Sequence, residues 1–175
     1  MAQPTYYMRM TSPLGPLLLA AGEKGLFLLK FGDELPDSAI RDSWLESPAP
    51  LSGYADELRA YFRGNLRHFT GALDLRGSLF QKRCWHALCG IPYGETRTYR
   101  DLAVQVGSPR AFRAVGQANH HNPIAIIVPC HRVIGADGTL TGYGGGLAIK
   151  QKLLLLEGVS IVHPLNLELE FSPQL

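Results

Sequence analysis

The first third of the chain alternates short apolar runs with turn-forming residues, a pattern typical of a β-meander. Runs rich in strand-forming residues cover 5–10, 14–21 and 25–31, and they are separated by Ser12-Pro13 and by the glycines of 22–25. We therefore predict three strands that pair in sequence order.

A polar, proline-containing tract follows over 33–50 and predicts a loop or a short helix around 37–46. Beyond it, apolar residues recur at the spacing of one helical face: Tyr54, Leu58, Tyr61 and Phe62. Ser52 is the expected N-cap and Gly64 the expected stop, and 71–77 predicts an exit strand and linker.

Helical patterns dominate from Ser78, which is placed to cap a helix that ends at Gly90. Thr98 to Asp101 has the form of a capping box and predicts a second helix that stops at Gly107. Ser108-Pro109 then predicts a third helix, with serine as N-cap and proline in the first turn. Two short helices joined at one glycine predict a helix-turn-helix.

The third predicted helix combines basic and small residues. Arg110, Arg113 and Gln117 are spaced to share one face, while Ala114 and Gly116 keep the helix slim enough to approach a groove. The alternative is an ordinary helical hairpin with a solvated arginine face.

These patterns divide the chain into an N-terminal α/β (α+β) unit over 1–77, a second unit over 78–160 and a tail over 161–175. In the tail, four apolar residues alternate like a strand, to which we assign no function: Leu165, Leu167, Leu169 and Phe171.

Composition narrows the function classes. The chain has 175 residues, of which 46% are hydrophobic, enough for a substantial core. No apolar run approaches the roughly 20 residues of a membrane span, and no signal peptide opens the sequence, so we expect a cytoplasmic protein. The net charge is +2, but 76–135 carries eight basic and two acidic residues, which suits a phosphate-bearing partner or simply a solvated basic face.

The cysteines indicate free thiols. Cys84, Cys89 and Cys130 are an odd number, too few for a disulfide framework. The Cys84-x4-Cys89 pair lacks a second pair of ligands at zinc-site spacing, so no metal site is expected.

The most informative stretch is 122–133, where an apolar, strand-like run leads through Pro129 to Cys130 and His131. A cysteine is nucleophilic as its thiolate, which a neighbouring base or positive field makes available; His131 and Arg132 are candidates for these roles, with a bridging water where sulfur and imidazole do not touch. A purely structural Cys-His pair is the alternative.

Two further features lie downstream. Glycines over 142–146 leave backbone N–H groups open to a planar ligand. The helix predicted over 147–157 places Glu157 at its negative end, where a carboxylate needs a partner; a histidine would complete a Cys130, His131, Glu157 relay, and an exposed helix-end glutamate is the alternative.

Together these residues resemble the O6-alkylguanine-DNA alkyltransferases, in particular the bacterial constitutive form. The resemblance runs from about 80 to 158 and is most specific in Pro-Cys-His-Arg at 129–132, with asparagine eight residues before the cysteine and glutamate 27 residues after it. The segments 11–15 and 58–64 also look like the family's N-terminal domain. The resemblance implies a ribonuclease H-like mixed sheet with a helix, followed by a winged-helix-like helical domain that contains the helix-turn-helix.

The resemblance also implies the chemistry. Cys130 would accept the alkyl group from O6-alkylguanine in a flipped-out nucleotide, once only, with O4-alkylthymine as a second candidate substrate. His131 would take the thiol proton through a water, Glu157 would orient the imidazole and Asn122 would brace the nearby turn. Tyr99 would donate to the base and lie near the 3′ phosphate.

The remaining roles implied by the resemblance concern DNA and the base pocket. Arg113 would fill the space left by the flipped base, on a helix that enters the minor groove with Arg110, Ala114 and Gly116. The pocket would be lined by Tyr143, the Gly144 N–H, and the Cys130 and Val133 carbonyls, with Lys150 nearby. The partner would be double-stranded DNA containing O6-alkylguanine. The protein would act as a monomer, without a cofactor and without association with a membrane.

Two readings from other classes compete with this one. A damage sensor that binds without accepting the alkyl group would lack the cysteine, which Cys130 argues against. A cysteine hydrolase would use the same relay but gives no reason for the basic helix pair. One departure from the family is Phe112, which stands where alanine is common.

Overall fold

The computed structural model describes residues 4–37, 39 and 42–162, and the alternating apolar tail at 165–171 lies outside them. Four strands form the main sheet in the order β3-β2-β1-β4: β1 (Tyr6–Ser12), β2 (Gly15–Gly22), β3 (Gly25–Phe31) and β4 (Leu45–Glu46). β1, β2 and β3 pair antiparallel, which confirms the predicted meander. The loop or short helix predicted around 37–46 is wrong at its end, because Leu45 and Glu46 pair parallel with β1.

β2 is one of the two inner strands of the sheet and is buried on both faces. Leu17 and Leu19 belong to the main core, whereas Leu18 and Ala20 pack on the other face with Phe27. The run 17–21 is therefore continuously apolar rather than alternating.

Five helices and a second, two-stranded sheet complete the described structure. The helices are α1 (Ser52–Phe62), α2 (Leu79–Cys89), α3 (Tyr99–Gln105), α4 (Phe112–His120) and α5 (Leu147–Leu156). The short strands β5 (Arg97–Thr98) and β6 (Val133–Ile134) pair parallel. Ser52 is the first residue of α1 and not its N-cap, because the 3₁₀ turn Ala49–Leu51 runs directly into the helix.

The capping box predicted at Thr98 is present, and the N-cap predicted at Ser78 is also part of a capping box. The Ser78 hydroxyl accepts from the Gln81 N–H and the Gln81 side chain accepts from the Ser78 N–H, and Thr98 and Asp101 repeat this arrangement at α3. Each box satisfies N–H groups that a helix start leaves without partners, so these two starts are fixed by local chemistry.

The third predicted helix begins later than the sequence indicates. The N–H of Ala111 donates to the Ser108 carbonyl, so 108–111 forms a turn and α4 starts at Phe112 rather than Pro109. Arg110 therefore lies on the turn before the helix. The prediction that Arg110 and Arg113 share one helical face is wrong.

The segment before Cys130 is docked onto the main sheet. The Leu29 N–H donates to the Pro123 carbonyl and the Ala125 N–H donates to the Leu29 carbonyl, which forms a single parallel bridge between Leu29 and Ile124. The exit strand predicted at 71–77 is likewise reduced to one bridge, between Leu26 and Leu73. A continuous apolar core includes side chains of the sheet and of α1 to α5. Within the described ranges, none of the helices is long and apolar enough to cross a membrane.

Candidate active site

Cys130 is delivered by a series of turns rather than by the end of a strand. Cys130–Arg132 is a 3₁₀ turn, and the predicted strand-like run before it contains only the bridge at Ile124. Ile126, fully buried, has φ 68°, a left-handed conformation that a β-branched residue adopts only under constraint from its surroundings. Buried contacts and turn hydrogen bonds therefore fix the path of the chain into Cys130.

The Cys130 thiol is buried and hydrogen-bonded. The Asn122 Nδ2 group lies 3.1 Å from Cys130 Sγ and 2.7 Å from the Val128 carbonyl, and Asn122 Oδ1 accepts from the Ile124 N–H. Burial raises the pKa of the Cys130 thiol, against the opposing effects of the Asn122 hydrogen bond and the Lys150 charge. The free protein thus holds a neutral thiol, and ionisation requires a base.

His131 is fully buried and joined to Glu157. Its Nε2 lies 2.7 Å from Glu157 Oε1, while its Nδ1 has no hydrogen-bond partner among the described residues. Burial lowers the pKa of His131, although Glu157 acts in the opposite direction. A neutral imidazole that donates from Nε2 to a carboxylate leaves the Nδ1 lone pair available as a base.

Glu157 follows α5 directly, at its C-terminal end, and gathers several donors there. In addition to His131, its carboxylate accepts from Arg132, from the Tyr61 hydroxyl at 2.7 Å and from the Gly94 N–H at 3.4 Å. Burial acts to raise the pKa of Glu157, but His131 and Arg132 together lower it to about 2. The carboxylate is therefore ionised despite the unfavourable helix end.

Arg132 has a different partner from the one that the sequence suggested. Its Nε and Nη2 bind Glu157 at 2.8 Å and 3.0 Å, and its Nη1 donates to the Ile91 carbonyl at 2.6 Å. The arginine charge is thus paired with the glutamate, and the expectation that it supplies a positive field for Cys130 is wrong.

Lys150 is fully buried and ties two segments together. Its Nζ donates to the Val133 carbonyl at 2.5 Å and to the Thr141 carbonyl at 2.7 Å. Burial lowers its pKa to about 8, while the nearby thiol of Cys130 acts to raise it. The Val133 carbonyl, predicted to face the base, therefore already accepts one hydrogen bond from within the protein.

A cavity of about 230 Å³ opens beside the thiol. Its lining includes Cys130, Tyr143, Gly144, Phe31 and Asn119. The Tyr143 hydroxyl and both polar atoms of the Asn119 side chain are buried without a partner in the described chain. Two residues of the lining thus carry buried polar groups that the described chain leaves unsatisfied.

Tyr99 and residues of α4 lie around a second cavity. Tyr99 and Gly116 border a neighbouring cavity of about 450 Å³, and the Tyr99 hydroxyl is 3.4 Å from the Thr141 carbonyl. Arg110, Arg113 and Ala114 are exposed, and the Arg113 guanidinium lies 5.9 Å from the ring centroid of Phe112.

The sequence patterns do not reveal two residues of this site, Tyr61 and Asn119. Tyr61 occupies an ordinary core position on a predicted helix, and the short motif at 58–64 is the signal that includes it. Arg132 is predicted from the sequence, but with a different role. No group of three metal-ligating side chains occurs within the described ranges, where all three cysteines are free.

The low pKa of Glu157 predicts an acid-dependent loss of stability. Because its pKa falls from 4.5 to about 2 on folding, Glu157 contributes about 3 kcal/mol above pH 5 that is lost as the pH falls towards 2. Urea unfolding of wild type and Glu157→Gln across this range measures the contribution, which Glu157→Gln should lack.

Glu95→Gln is the control, because this half-exposed carboxylate pairs with Arg97 at the surface. It should follow the wild-type pH dependence. An equal acid-induced loss in Glu157→Gln and wild type would contradict the buried ion pair.

Comparison with known proteins gives the site its context. A family model described as 6-O-methylguanine DNA methyltransferase, ribonuclease-like domain, matches residues 5–75. A second, described as 6-O-methylguanine DNA methyltransferase, DNA binding domain, matches residues 79–159.

Individual relatives agree with these models. Methylated-DNA–protein-cysteine methyltransferases of Methanosarcina barkeri and Mycobacterium tuberculosis are 55% and 54% identical to this chain over 152 residues, which is 87% of this chain and 96% and 92% of theirs. Crystal structures of M. tuberculosis O6-methylguanine methyltransferase, including one of OGT in complex with DNA, are 54% identical with a TM-score of 0.80 and cover 87% of this chain and 92% of that one. By sequence and by fold, the chain belongs to the family of methylated-DNA–protein-cysteine methyltransferases.

Proposed function

We propose that this protein repairs O6-alkylguanine in DNA by transferring the alkyl group to Cys130. The sulfur attacks the alkyl carbon in line, the S–C bond forms as the C–O6 bond breaks, and guanine leaves with the electron pair. The observation that carries this assignment is the Cys130 thiol beside a cavity, next to a histidine whose Nδ1 is free and whose Nε2 is bound to a buried glutamate.

Activation of the thiol is the first step. The thiol is neutral at rest, since burial raises its pKa, and so a base must take its proton during the reaction. We assign this role to His131 Nδ1 acting through a water, with the proton finally replacing the alkyl group on guanine. Glu157 stabilises the imidazolium that forms, and Asn122 holds the sulfur in place.

Substrate access requires the damaged nucleotide to leave the duplex. A buried thiol, only 8% exposed as a residue, cannot reach O6 in line inside stacked DNA, whereas an extruded base can enter the cavity beside it. Inside the cavity, Tyr143, Gly144 and Asn119 offer polar groups to the base. Tyr99, which borders the neighbouring cavity of about 450 Å³, would donate as negative charge develops on the leaving guanine.

The surface around α4 fits the phosphates and groove of double-stranded DNA. Arg113 and Arg110 are exposed on it, and Ala114 and Gly116 are small enough to permit close approach. The relative from M. tuberculosis was crystallised with DNA, which supports DNA as the partner. We propose that a monomer binds here, with Arg113 filling the gap left by the extruded base.

Each molecule reacts once in this scheme. The product thioether is a poor leaving group, and the described site offers no second nucleophile aimed at it. The DNA itself supplies the alkyl group, and no cofactor enters the step.

Replacement of the acceptor should separate chemistry from binding. Cys130→Ala should lose transfer of label from a duplex containing labelled O6-methylguanine, because no other thiol lines the cavity, while its affinity for that duplex changes less than about threefold. Gel-based label transfer and fluorescence anisotropy measure the two quantities.

Cys84→Ala and Cys89→Ala are the matched controls, since these thiols lie elsewhere on α2. Both should accept label as the wild type does. Label on Cys130→Ala would show that the acceptor is another residue.

Removal of the Arg113 side chain should affect duplex substrates selectively. Because Arg113 is proposed to stabilise the extruded state, Arg113→Ala should slow reaction with methylated duplex by ten-fold or more, about 1.4 kcal/mol, and leave reaction with free O6-methylguanine base almost unchanged. The two rate constants are measured by mass spectrometry, with Arg83→Ala as a basic-residue control on α2. Equal losses on both substrates would remove the proposed role.

A further inference from the structure

One contact of the relay crosses the molecule from the N-terminal part of the chain. Tyr61, near the end of α1, places its hydroxyl 2.7 Å from Glu157 Oε1, although the two residues are 96 positions apart. Both side chains are buried, and Tyr61 is fully so. Tyr61 lies in the segment that matches the ribonuclease-like family model, whereas Glu157 lies in the segment that matches the DNA-binding one.

We propose that Tyr61 is a positioning residue for alkyl transfer, whose hydroxyl holds Glu157 so that His131 keeps its orientation and stays a neutral base until the thiol proton arrives. This inference rests on the proposed function of the Cys130 site. It gives residues 5–75 a part in the reaction, exerted through Glu157 and His131, beyond supporting the fold.

The direction of the hydrogen bond is fixed by the protonation states of its partners. Burial, followed by the charge of Glu157, raises the pKa of the Tyr61 hydroxyl well above its usual value, so the hydroxyl keeps its proton. The carboxylate of Glu157 is ionised and has no proton to give. Tyr61 is therefore the donor and Glu157 the acceptor.

The hydroxyl completes the set of donors around Glu157. Oε1 accepts from Tyr61, His131 Nε2 and Arg132 Nη2, and Oε2 accepts from Arg132 Nε and the Gly94 N–H. Each donor disperses carboxylate charge and makes the carboxylate less basic. Without Tyr61, Oε1 would attract the His131 proton more strongly and favour the imidazolium, which cannot take a proton from Cys130.

Packing leaves the hydroxyl little freedom. The Tyr61 ring makes an edge contact with Tyr93 at 6.1 Å between centroids and packs on Phe62 and Phe69 at 5.5 Å and 5.4 Å. The same face of α1 buries Leu58 and Ala55. The position of α1 therefore sets the position of the donor, and through it the geometry of the relay.

Other charged and titratable groups also act on this pair. The groups that act on Tyr61 or His131 are Glu157, Arg132, Lys150 and Tyr93, and Cys130 and Tyr143 lie at the thiol side. All of them remain in place when the Tyr61 hydroxyl alone is removed, so Tyr61→Phe isolates its effect.

The experiment compares Tyr61→Phe with Tyr54→Phe in the full chain. Tyr54 lies on the same helix, and its hydroxyl donates to the Ala72 carbonyl at 2.7 Å, so each variant loses one tyrosine hydrogen bond of equal length. Three quantities are measured: the rate of methyl transfer from O6-methylguanine duplex between pH 5 and 9, the affinity for the same duplex, and the thermal unfolding midpoint.

We expect the acid limb of the Tyr61→Phe rate profile to shift to higher pH by roughly half a pH unit. At pH values well below its midpoint, this shift lowers the rate about threefold. Tyr54→Phe should keep the wild-type profile, and both variants should bind DNA as the wild type does. If the Tyr61 hydroxyl only supported the fold, its removal would lower the thermal unfolding midpoint but would not move the midpoint of the pH–rate profile.

An unchanged pH profile in Tyr61→Phe would overturn the inference, whatever its stability. Should the variant unfold below assay temperature, the His131 titration followed by NMR at low temperature decides the same question: an unmoved midpoint contradicts the proposal and an upward shift supports it. Failure of the proposed function is distinguishable, since wild type and Tyr54→Phe would then transfer no methyl group at any pH.

Discussion

The structure depends on one buried carboxylate. Glu157 is ionised in the interior, directly after the C-terminal end of α5, and it is tolerated there because His131, Arg132, Tyr61 and the Gly94 N–H all donate to it. An ion removed from water is stable only when nearly all of its hydrogen-bonding capacity is satisfied. The same contacts orient the imidazole, anchor Arg132 and join α1 to α5, so the requirement for charge compensation also organises the reactive site.

Burial keeps the proposed nucleophile, Cys130, neutral, while its hydrogen bonds hold it in place. Burial holds the Cys130 thiol neutral, while Asn122 and the turns around Ile126 fix its place beside the cavity. A thiol arranged in this way reacts slowly with small electrophiles and needs a base close by when its substrate is bound. A methyltransferase that is consumed by each reaction benefits from such restraint, because every unwanted alkylation would remove one molecule.

Local chemistry predicted much of the fold, and long-range contacts account for what it missed. The meander and the caps at Ser78 and Thr98 follow from neighbouring residues, and the resemblance in sequence predicts Cys130, His131 and Glu157 as site residues. The late start of α4 depends on a turn at 108–111 that competes with the helix signal of Ser108-Pro109. The roles of Tyr61 and Arg132 depend on a partner at Glu157, distant along the chain, and no spacing rule reveals such a contact.

The central claim is that Cys130 is a single-use acceptor served by the His131–Glu157 pair. Intact-mass spectrometry of the wild-type chain during exposure to excess O6-methylguanine duplex tests it most directly. The account predicts one conversion, a gain of about 14 Da as S–CH₃ replaces S–H, complete and then constant, with the modification located on the Cys130 peptide. An unchanged protein mass while the duplex is demethylated, or a gain located on another residue, would contradict it.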